Sequence, residues 1–449
     1  MSGVALNWID GEWVNSPTLS TSRNPANGEV VGQFADGGEA EADAAIDAAR
    51  RAFRGTTWSR DRSLRHRVLS EIADRFEDRV DELAALLTKE NGKPLFESMI
   101  EIQAGVIPTL RHNAGQALTS TGTSAEVRPG TFFTTLAEPA GVVGVIVPWN
   151  SPIALFIRAL APALAAGNTV VAKLPGQTAL TNALVSEIIA SAQSLPKGVV
   201  NVFSESGNTG APRLVSSPEV DVVSYTGSVA VGRRVGAAAG TALKRVGLEL
   251  GGKTPMIVFA DADLGVALPL LVRSLTATAG QFCMAGTRFL VQRGIADEVR
   301  DRLAQLLSDV IVGPGDSPET QMGPLIDHAA VQRIDAFVET ALSYAKPIVR
   351  GGAITAGPLA AGSFFAPCLL EVDDLDVPLV QEEIFGPVGT FEVFDDEADA
   401  LRRANATRFG LAAAVFTRDG ARARQVCRDL QAGTVWTNGY YALDEGFPE

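Results

Sequence analysis

Residues 141–175 read GVVGVIVPWNSPIALFIRALAPALAAGNTVVAKLP, and this stretch decides the fold. Val142–Val147 is an almost unbroken apolar run of strand length, and Thr169–Lys173 is a second one. Between them, residues 152–166 have the Ala-rich composition of a helix. Strands that are apolar throughout are typical of parallel sheets covered by helices on both faces. The stretch therefore predicts a strand, a crossover helix and a second, parallel strand.

The same alternation continues beyond this unit. We predict three further strands of the same sheet at Val199–Phe203, Val220–Thr226 and Arg245–Leu250, and three strands of a second sheet at Met256–Phe259, Phe289–Gln292 and Gly389–Val393. Helices are predicted at 178–194, 207–216, 228–240, 263–280, 296–311 and 328–345. We expect an α/β protein with two doubly wound parallel-sheet lobes.

The remaining segments flank these lobes. Residues 5–35 show short strands and turns of a kind that covers a sheet edge, and residues 40–117 have the 3.6-residue period of amphipathic helices. Residues 131–136, TFFTTL, are rich in β-formers and suit either an edge strand used for assembly or an ordinary hairpin, because an exposed strand edge needs some partner. We assign residues 1–120 and 139–250 to one domain, 251–430 to a second, and 121–138, with the C-terminal end of the chain, to a small β arm.

The composition narrows the class of partner. The 449 residues carry a formal net charge of −14, which argues against nucleic acid and anionic membranes because both are polyanions. Three cysteines and three histidines, scattered along the chain, give neither a disulfide framework nor a metal-ligand spacing. The longest apolar stretch is interrupted by Arg158 and is too short to span a membrane, and the N-terminus lacks a secretory pattern. We therefore expect a metal-free cytoplasmic protein that acts on a small molecule.

Three side chains could carry chemistry. Cys283 lies in AGQFCMAGTR (Ala279–Arg288), among small neighbours that leave room for a substrate to approach the sulfur. An isolated cysteine is more often a buried core residue than a nucleophile. Asn150 follows a predicted strand and Glu249 lies at the end of another, at the sheet edge where ligands of such sheets bind. Taken alone, Asn150 is more often a turn residue ahead of Ser151-Pro152, and Glu249 is more often a surface carboxylate.

Several motifs occur together along the chain. They are Pro148-Trp149-Asn150, Tyr225-Thr226-Gly227-Ser228 followed by Gly232, Glu249-Leu250-Gly251-Gly252-Lys253, Gly280-Gln281-Phe282-Cys283, Met322-Gly323-Pro324-Leu325 and Glu382-Glu383-Ile384-Phe385-Gly386-Pro387. In this combination the sequence resembles the aldehyde dehydrogenase superfamily from about Trp8 to the last residue. The resemblance implies that the first domain binds the cofactor, that the second is catalytic and that the β arm serves oligomerisation.

The resemblance implies the non-phosphorylating oxidation of a small-molecule aldehyde to its carboxylic acid. Cys283 would add to the carbonyl carbon, and the Asn150 side-chain amide and the Cys283 backbone N–H would hold the oxyanion. Hydride would then pass to a nicotinamide cofactor. Glu249 would activate the water that hydrolyses the resulting thioester.

The cofactor residues follow from the same resemblance, because no Gly-x-Gly-x-x-Gly fingerprint follows any predicted strand. Ser228, at a helix start, resembles the pyrophosphate contact, and Lys173 resembles the adenosine-ribose contact. Many NAD-using members carry a Glu three positions after that lysine, where this chain has Gly176, so the cofactor is expected to be NAD or NADP. The other expected cofactor contacts are Glu383 at the nicotinamide ribose, Phe385 beside the ring, and Trp149, Gln177, Gly227 and Gly251.

The helix after Asn150 is expected to line the substrate tunnel, and Phe282 and Met284 to flank the nucleophile. Ser151, Leu155 and Arg158 are spaced by four and then three residues, so they lie near one helix face. Many relatives that act on apolar aldehydes carry bulky aromatic side chains at the first and last of these places. An Arg there would favour an aldehyde with a carboxylate or other polar end, unless Arg158 turns away to pair with an acidic residue such as Glu382.

Three alternative functions remain open. A Cys-dependent hydrolase or esterase would use the same residues without a nucleotide, a CoA-acylating relative would need no base for deacylation, and a non-catalytic protein on this fold would need none of them. The resemblance also implies a homodimer or homotetramer, in which a final strand pairs with a neighbouring subunit. The sequence ends at Glu449, soon after Thr437-Asn438-Gly439, which leaves a shortened C-terminus and the assembly of this chain as open questions.

Overall fold

The computed structural model describes residues 3–119 and 121–442 and divides into two compact units. The first unit comprises Met1–Arg23, Val30–Glu90 and Ser98–Glu249, and the second comprises Asn24–Glu29, Asn91–Glu97 and Leu250–Glu449.

Two short segments, residues 24–29 and 91–97, belong with the second unit, although the sequence analysis assigned them to the first domain. Backbone hydrogen bonds hold them there. Leu95 N donates to Gly315 O at 2.9 Å, and Ser363 N donates to Pro25 O at 2.8 Å. A local helical period cannot reveal such long-range pairing.

The first 249 residues form the following elements. The strands are β1 (Asn7–Ile9), β2 (Glu12–Val14), β3 (Thr18–Arg23), β4 (Val30–Asp36), β5 (Thr123–Arg128), β6 (Thr131–Thr135), β7 (Val142–Ile146), β8 (Thr169–Pro175), β9 (Val200–Glu205), β10 (Val222–Thr226) and β11 (Arg245–Glu249). The helices are α1 (Glu39–Gly55), α2 (Arg62–Asp78), α3 (Val80–Asn91), α4 (Leu95–Ile100), α5 (Ile107–Thr119), α6 (Pro152–Ala166), α7 (Ala179–Ala190), α8 (Gly210–Ser216) and α9 (Val229–Thr241), with a π-helix at Glu101–Val106 and a 3₁₀ turn at Gly176–Thr178.

The sheet of the first unit has the order β11-β10-β7-β8-β9-β1-β2. Strands β7 to β11 are parallel, which confirms the predicted doubly wound sheet. Helix α6 spans the predicted residues. It begins at Pro152, since proline is tolerated in the first turn, and ends before Gly167, whose φ of +92° suits a left-handed cap.

Two hairpins lie at the margins of this unit. β1 and β2 extend the sheet at one edge, and both of their pairings are antiparallel. β5 and β6 form a separate antiparallel pair, in which every residue is exposed. Phe132 and Phe133 of this hairpin are 68% and 61% exposed, which leaves a large apolar surface uncovered within the single chain.

The second unit contains a seven-stranded sheet of order β14-β17-β18-β13-β12-β19-β20, in which only β14 is antiparallel to its neighbour. The strands are β12 (Thr254–Val258), β13 (Gly286–Gln292), β14 (Lys346–Val349), β15 (Gly352–Ala353), β16 (Phe365–Ala366), β17 (Cys368–Glu371), β18 (Val388–Phe394), β19 (Ala412–Phe416) and β20 (Thr434–Thr437). The helices are α10 (Leu264–Thr276), α11 (Ala296–Ser308), α12 (His328–Ala341), α13 (Pro378–Gln381), α14 (Glu397–Ala404) and α15 (Gly420–Asp429), with 3₁₀ turns at Ala277–Gly280, Arg293–Ile295 and Gly357–Leu359.

The sequence analysis identified only β12, β13 and β18 of this sheet, and it extended α10 too far. The helix predicted at 263–280 ends at Thr276, because Thr278 and Ala279 take left-handed φ angles of +50° and +54°. Strand β13 is anchored by Arg288, which pairs with Glu392 at 2.7 Å, both side chains being fully buried. Losing one partner of a buried pair typically costs about 3–5 kcal/mol.

Apolar cores fill the space between sheet and helices in each unit. In the first unit Trp58, Phe76 and Phe156 are completely buried, and in the second Phe289 and Phe391 are. Burying one such side chain stabilises the fold by roughly 1.5–3 kcal/mol. Among residues 3–119 and 121–442, no helix combines the length and the apolar character that crossing a membrane requires.

Candidate active site

A cavity of about 520 Å³ opens at the carboxyl ends of the parallel strands of the first unit. Its lining includes Pro148 after β7, Lys173 in β8 and Gly227 after β10, and α9 contributes apolar side chains. β7 lies between β8 and β10, so successive strands are added on one side of β7 and then on the other. Ligands of doubly wound sheets bind at this point, and cofactor pockets have volumes of about 300–1,000 Å³.

The start of α9 offers this cavity an anion site. Ser228 is the residue before the helix, and its hydroxyl accepts a hydrogen bond from Val231 N at 3.4 Å. Gly227 allows close packing here, since a Cβ at this residue would lie 2.4 Å from the Tyr225 hydroxyl. The first N–H groups of a helix and its dipole favour an anion such as a pyrophosphate. The residues present therefore fit the phosphates of a dinucleotide.

Lys173 lies near two carboxylates. Burial lowers its pKa, and Glu205 and Asp36 oppose that shift. Gly176 packs against Ser206, because a Cβ at Gly176 would lie 2.9 Å from Ser206 Cα. Both the hydroxyl and the N–H of Ser206 donate to Asp36, the N–H at 2.8 Å. The space beside Gly176 is thus filled by Ser206, with Asp36 behind it.

Asn150 lies in the loop between β7 and α6 and is 3% exposed. The first turn of α6 is capped by Glu101, whose Oε1 accepts the N–H groups of Ile153 and Ala154, both at 3.0 Å. Glu101 belongs to the π-helix, an irregularity that occurs frequently at functional sites. Glu101 was not predictable from sequence, because no motif links it to a helix 52 residues later. Two expected cofactor residues are less enclosed: Trp149 is partly exposed and Gln177 is exposed.

Glu249 ends β11, and Arg158 of α6 reaches it. Arg158 Nη2 lies 3.7 Å from Glu249 Oε2, and the two side chains are 32% and 42% exposed. From the sequence, Glu382 is one expected acidic partner, and no motif indicates a pairing with Glu249. Since α6 follows β7 and β11 is two strands away in the sheet, only the folded chain brings the two together.

The other expected tunnel residues of α6 share the face of Arg158. Ser151 and Leu155 are partly exposed, whereas Ile153 and Phe156 are buried on the other side. The backbone N–H of Leu155 donates to Ser151 O at 3.0 Å, so the helical spacing begins at Ser151.

In the second unit, the predicted site residues lie just before three adjacent strands. β12, β13 and β18 are neighbours, and the segments that carry Gly251, Cys283 and Glu383 each lead into one of them. These segments therefore meet at the amino ends of the strands. The predicted residues of this unit therefore lie at the strand ends opposite to the carboxyl ends, where ligands of doubly wound sheets usually bind.

Glycines let the three segments approach closely. A Cβ at Gly252 would lie 2.3 Å from the Cys283 carbonyl oxygen, and a Cβ at Gly280 would lie 2.3 Å from the Gly386 carbonyl carbon. A Cβ at Gly251 would lie 2.0 Å from Glu383 Oε2. The Cys283 backbone thus lies against Gly252 of one neighbouring segment, while Gly280, on the same segment as the cysteine, lies against Gly386 of the other.

Glu383 is held by the same segment. Gly252 N donates to Glu383 Oε1 at 3.2 Å. Burial raises the pKa of Glu383, while this hydrogen bond and the charges of Lys253 and Arg333 oppose the rise. Phe385, two residues on, takes a left-handed φ of +57°.

The immediate neighbours of Cys283 differ in exposure. Cys283 and Phe282 are partly exposed, and the Phe282 ring packs edge-to-face on Tyr441 with centroids 5.0 Å apart. Met284, an expected tunnel residue, is only 3% exposed and packs in the core of the second unit. Its carbonyl oxygen accepts the hydroxyl of Tyr440 at 3.3 Å, a contact that no sequence motif indicated.

The structure thus brings the predicted residues together in two sets. Asn150, Lys173, Ser228 and Glu249 share the carboxyl edge of the first sheet, and Cys283, Gly251 and Glu383 share the amino edge of the second. Within the described part of the chain, no three His, Cys, Asp or Glu side chains are grouped so that they could hold a metal ion.

Comparison with known proteins gives consistent matches. Residues 13–448 match the model of the aldehyde dehydrogenase family. The chain is 40% identical to the mitochondrial aldehyde dehydrogenase of Homo sapiens, covering 96% of this chain and 84% of the relative. It is 36% identical to phenylacetaldehyde dehydrogenase of Pseudomonas fluorescens, covering 98% and 89%. A structure of betaine aldehyde dehydrogenase from Staphylococcus aureus in complex with NAD+ superposes with a TM-score of 0.95 at 35% identity, covering 98% of this chain and 88% of that one.

Proposed function

The chain belongs to the aldehyde dehydrogenase family and is an NAD(P)-dependent dehydrogenase, and on this premise we propose that it oxidises an aldehyde to the carboxylic acid through a thioester on Cys283. The observation that carries the proposal is the placement of Cys283, partly exposed, in a backbone fixed by Gly252 and Gly280. A core cysteine would need no such exposure.

The first step is addition of the Cys283 thiolate to the aldehyde carbon. A C–S bond forms, and the carbonyl π electrons move to oxygen. The side-chain amide of Asn150 and the backbone N–H of Cys283 donate to that oxyanion. Burial of Asn150 supports this role, because a fixed donor needs no reorganisation as charge develops.

Oxidation of the adduct requires a hydride acceptor, which the nicotinamide of NAD or NADP supplies when bound. We assign the pyrophosphate to Ser228 and the start of α9, the adenosine ribose to Lys173 with Gly176 and Gln177, and the nicotinamide ribose to Glu383. Trp149, Gly227, Gly251 and Phe385 complete this set of contacts. The cavity at the ends of β7 and β10 supports the adenosine part of the assignment.

Hydrolysis of the thioester ends the reaction. Glu249 accepts a proton from water, the resulting hydroxide attacks the acyl carbon, and the C–S bond breaks to return the thiolate. The ion pair with Arg158 supports this role, since it places the Glu249 carboxylate beside the face of α6 that carries the expected tunnel residues.

For the substrate we propose an aldehyde with a carboxylate or other polar end. Ser151 and Arg158 give the partly exposed face of α6 a polar character, and Leu155, Phe282 and Met284 were assigned to the same tunnel. Because Arg158 already lies beside Glu249, a substrate carboxylate would share this cation with the base.

We further propose that the first domain binds the cofactor, that the second is catalytic, and that the exposed β5–β6 hairpin joins copies of the chain into a homodimer or homotetramer. The uncovered Phe132 and Phe133 support the role of the hairpin. The C-terminal end of the chain, assigned to this arm from sequence, includes residues 443–449, which lie outside the described residues. We also retain the cytoplasm as the expected location.

A screen of aldehydes of different length and charge, with NAD or NADP, tests the function through the absorbance of the reduced nicotinamide. We expect turnover that disappears in Cys283→Ala and is retained in Cys427→Ala. Turnover of esters without nucleotide but no oxidation would favour a hydrolase, and a requirement for CoA would favour the acylating alternative.

A further inference from the structure

Three consecutive residues just before the nucleophile have left-handed backbone angles. They are Thr278 (φ +50°), Ala279 (φ +54°) and Gly280 (φ +70°). Only the glycine adopts this conformation readily, and a β-branched Thr with positive φ is a clear outlier. Such strain persists only where surrounding contacts hold it, and it concentrates at functional sites.

The carboxylate of Glu97 provides the main polar contacts to this turn. Glu97 Oε2 accepts the N–H of Thr278 at 3.0 Å and its hydroxyl at 3.4 Å, and Oε1 accepts the same N–H at 3.3 Å. Gln281 closes the turn from the other side, since its Nε2 donates to Thr278 O at 3.1 Å. Its Oε1 accepts Ile326 N at 2.9 Å, which ties the turn to a further loop. Glu97 belongs to segment 91–97, which packs in the second unit.

The charges around Glu97 come from three elements. Lys93 lies on the same segment, and Arg273 lies in the last turn of α10. The third group is the Tyr440 hydroxyl, whose pKa is raised by burial and, to a smaller extent, by the charges of Cys283 and Glu97. Burial raises the pKa of Glu97 to about 7, although Lys93, Arg273 and the hydrogen bonds from Thr278 oppose the rise. The carboxyl group is therefore able to change its charge near neutral pH.

Given the proposed function, we propose that Glu97 is a positioning residue for the nucleophile, whose ionised carboxylate holds the left-handed turn and thereby aims the backbone N–H and the sulfur of Cys283. The geometry supports a direct link, because only Gln281 and Phe282 separate the turn from the cysteine. Protonation of Glu97 removes the negative charge that accepts the Thr278 N–H and hydroxyl, so the turn loosens as the pH falls.

The test compares Glu97→Gln with the unaltered protein. The matched control is Glu319→Gln, which makes the same carboxylate-to-amide change at an exposed residue of the same unit. The first readout is hydrogen–deuterium exchange of peptides covering residues 278–283, corrected for intrinsic exchange rates. We expect protection in the unaltered protein to fall between pH 8 and pH 6, and Glu97→Gln to show low protection at both. The control should match the unaltered protein.

The second readout is the pre-steady-state burst of reduced nicotinamide. We expect Glu97→Gln to slow the burst on the order of 10-fold, because small misplacements of a reacting group are costly, and to lose the inflection near pH 7, while KM for the aldehyde changes little. Unchanged protection and an unchanged pH profile in Glu97→Gln would overturn the proposal. If the unaltered protein oxidises no aldehyde, the proposed function fails, and the exchange experiment still decides the role of Glu97.

Discussion

Gly252→Ala should displace the nucleophile by a distance that the structure defines. The new Cβ would lie 2.3 Å from the Cys283 carbonyl oxygen, whereas real Cβ atoms essentially never come closer than 3.0 Å to such a neighbour. The two backbones must therefore separate by about 0.7 Å, the difference between these distances. A misplacement near 1 Å can cost about 100-fold in rate, so we expect kcat/KM to fall roughly 10- to 100-fold.

The assay is steady-state oxidation at saturating cofactor, together with the Kd of the cofactor from titration. The Kd should change less than the rate, because the first unit supplies most of the proposed contacts. Gly294→Ala is the matched control, since a Cβ there meets nothing within 4 Å. Gly251→Ala should instead change the Kd of the cofactor more than the rate. Its Cβ meets the flexible end of Glu383, the proposed contact of the nicotinamide ribose. A Gly252→Ala enzyme that is folded and keeps more than one third of kcat/KM would refute the argument.

Three further predictions concern the oxyanion, the cofactor and the substrate. Asn150→Ala should lower kcat by about 100- to 1,000-fold with little change in KM, as expected for loss of one oxyanion donor; a loss below about threefold would assign the oxyanion to another group. NADP should be accepted at a rate comparable with NAD, because Gly176 presents no carboxylate to a 2′-phosphate. Gly176→Glu should shift the ratio of the kcat/KM values for NAD and NADP toward NAD, and it should lower the Tm because the Ser206 backbone must move. Gly176→Ala should lower the Tm without changing that ratio. Strict NAD use by the unaltered protein would contradict this account. Arg158→Leu should raise KM for an acidic semialdehyde and leave KM for an aliphatic aldehyde of the same length little changed, and it should slow deacylation of both if the pair with Glu249 matters; equal KM effects on both would remove Arg158 from substrate selection.

The first sheet was accessible from sequence because its strands are apolar runs separated by helices of ordinary length. Helix α6 matches its prediction at both ends, since Pro152 and Gly167 mark its limits locally. In the second unit, the strands β17, β19 and β20, which are runs of four or five residues, were not predicted from sequence. Helix α10 ends before its predicted limit for a reason outside its own sequence. The left-handed turn after it makes its main side-chain contact with the carboxylate of Glu97, which lies 181 residues earlier in the chain than Thr278.

Site residues that lie in sequence motifs were predictable. Site residues that are placed by contacts between distant parts of the chain were not. Cys283, Asn150 and Glu249 lie in motifs with a family resemblance. Glu101 caps the helix after Asn150 through hydrogen bonds over 52 residues, and Arg158 reaches Glu249 through strand order. Such contacts depend on which strands become neighbours, and the spacing of residues along the chain does not specify that.

The most direct test of the central claim is trapping of the acyl enzyme in Glu249→Gln. In this variant the aldehyde should be oxidised once, giving a burst of reduced nicotinamide equal to the enzyme concentration and then slow turnover, because the thioester lacks its base. Mass spectrometry of the quenched reaction should find the acyl group on the peptide that contains Cys283. Oxidation without an adduct on Cys283, or an adduct on another residue, would contradict the account.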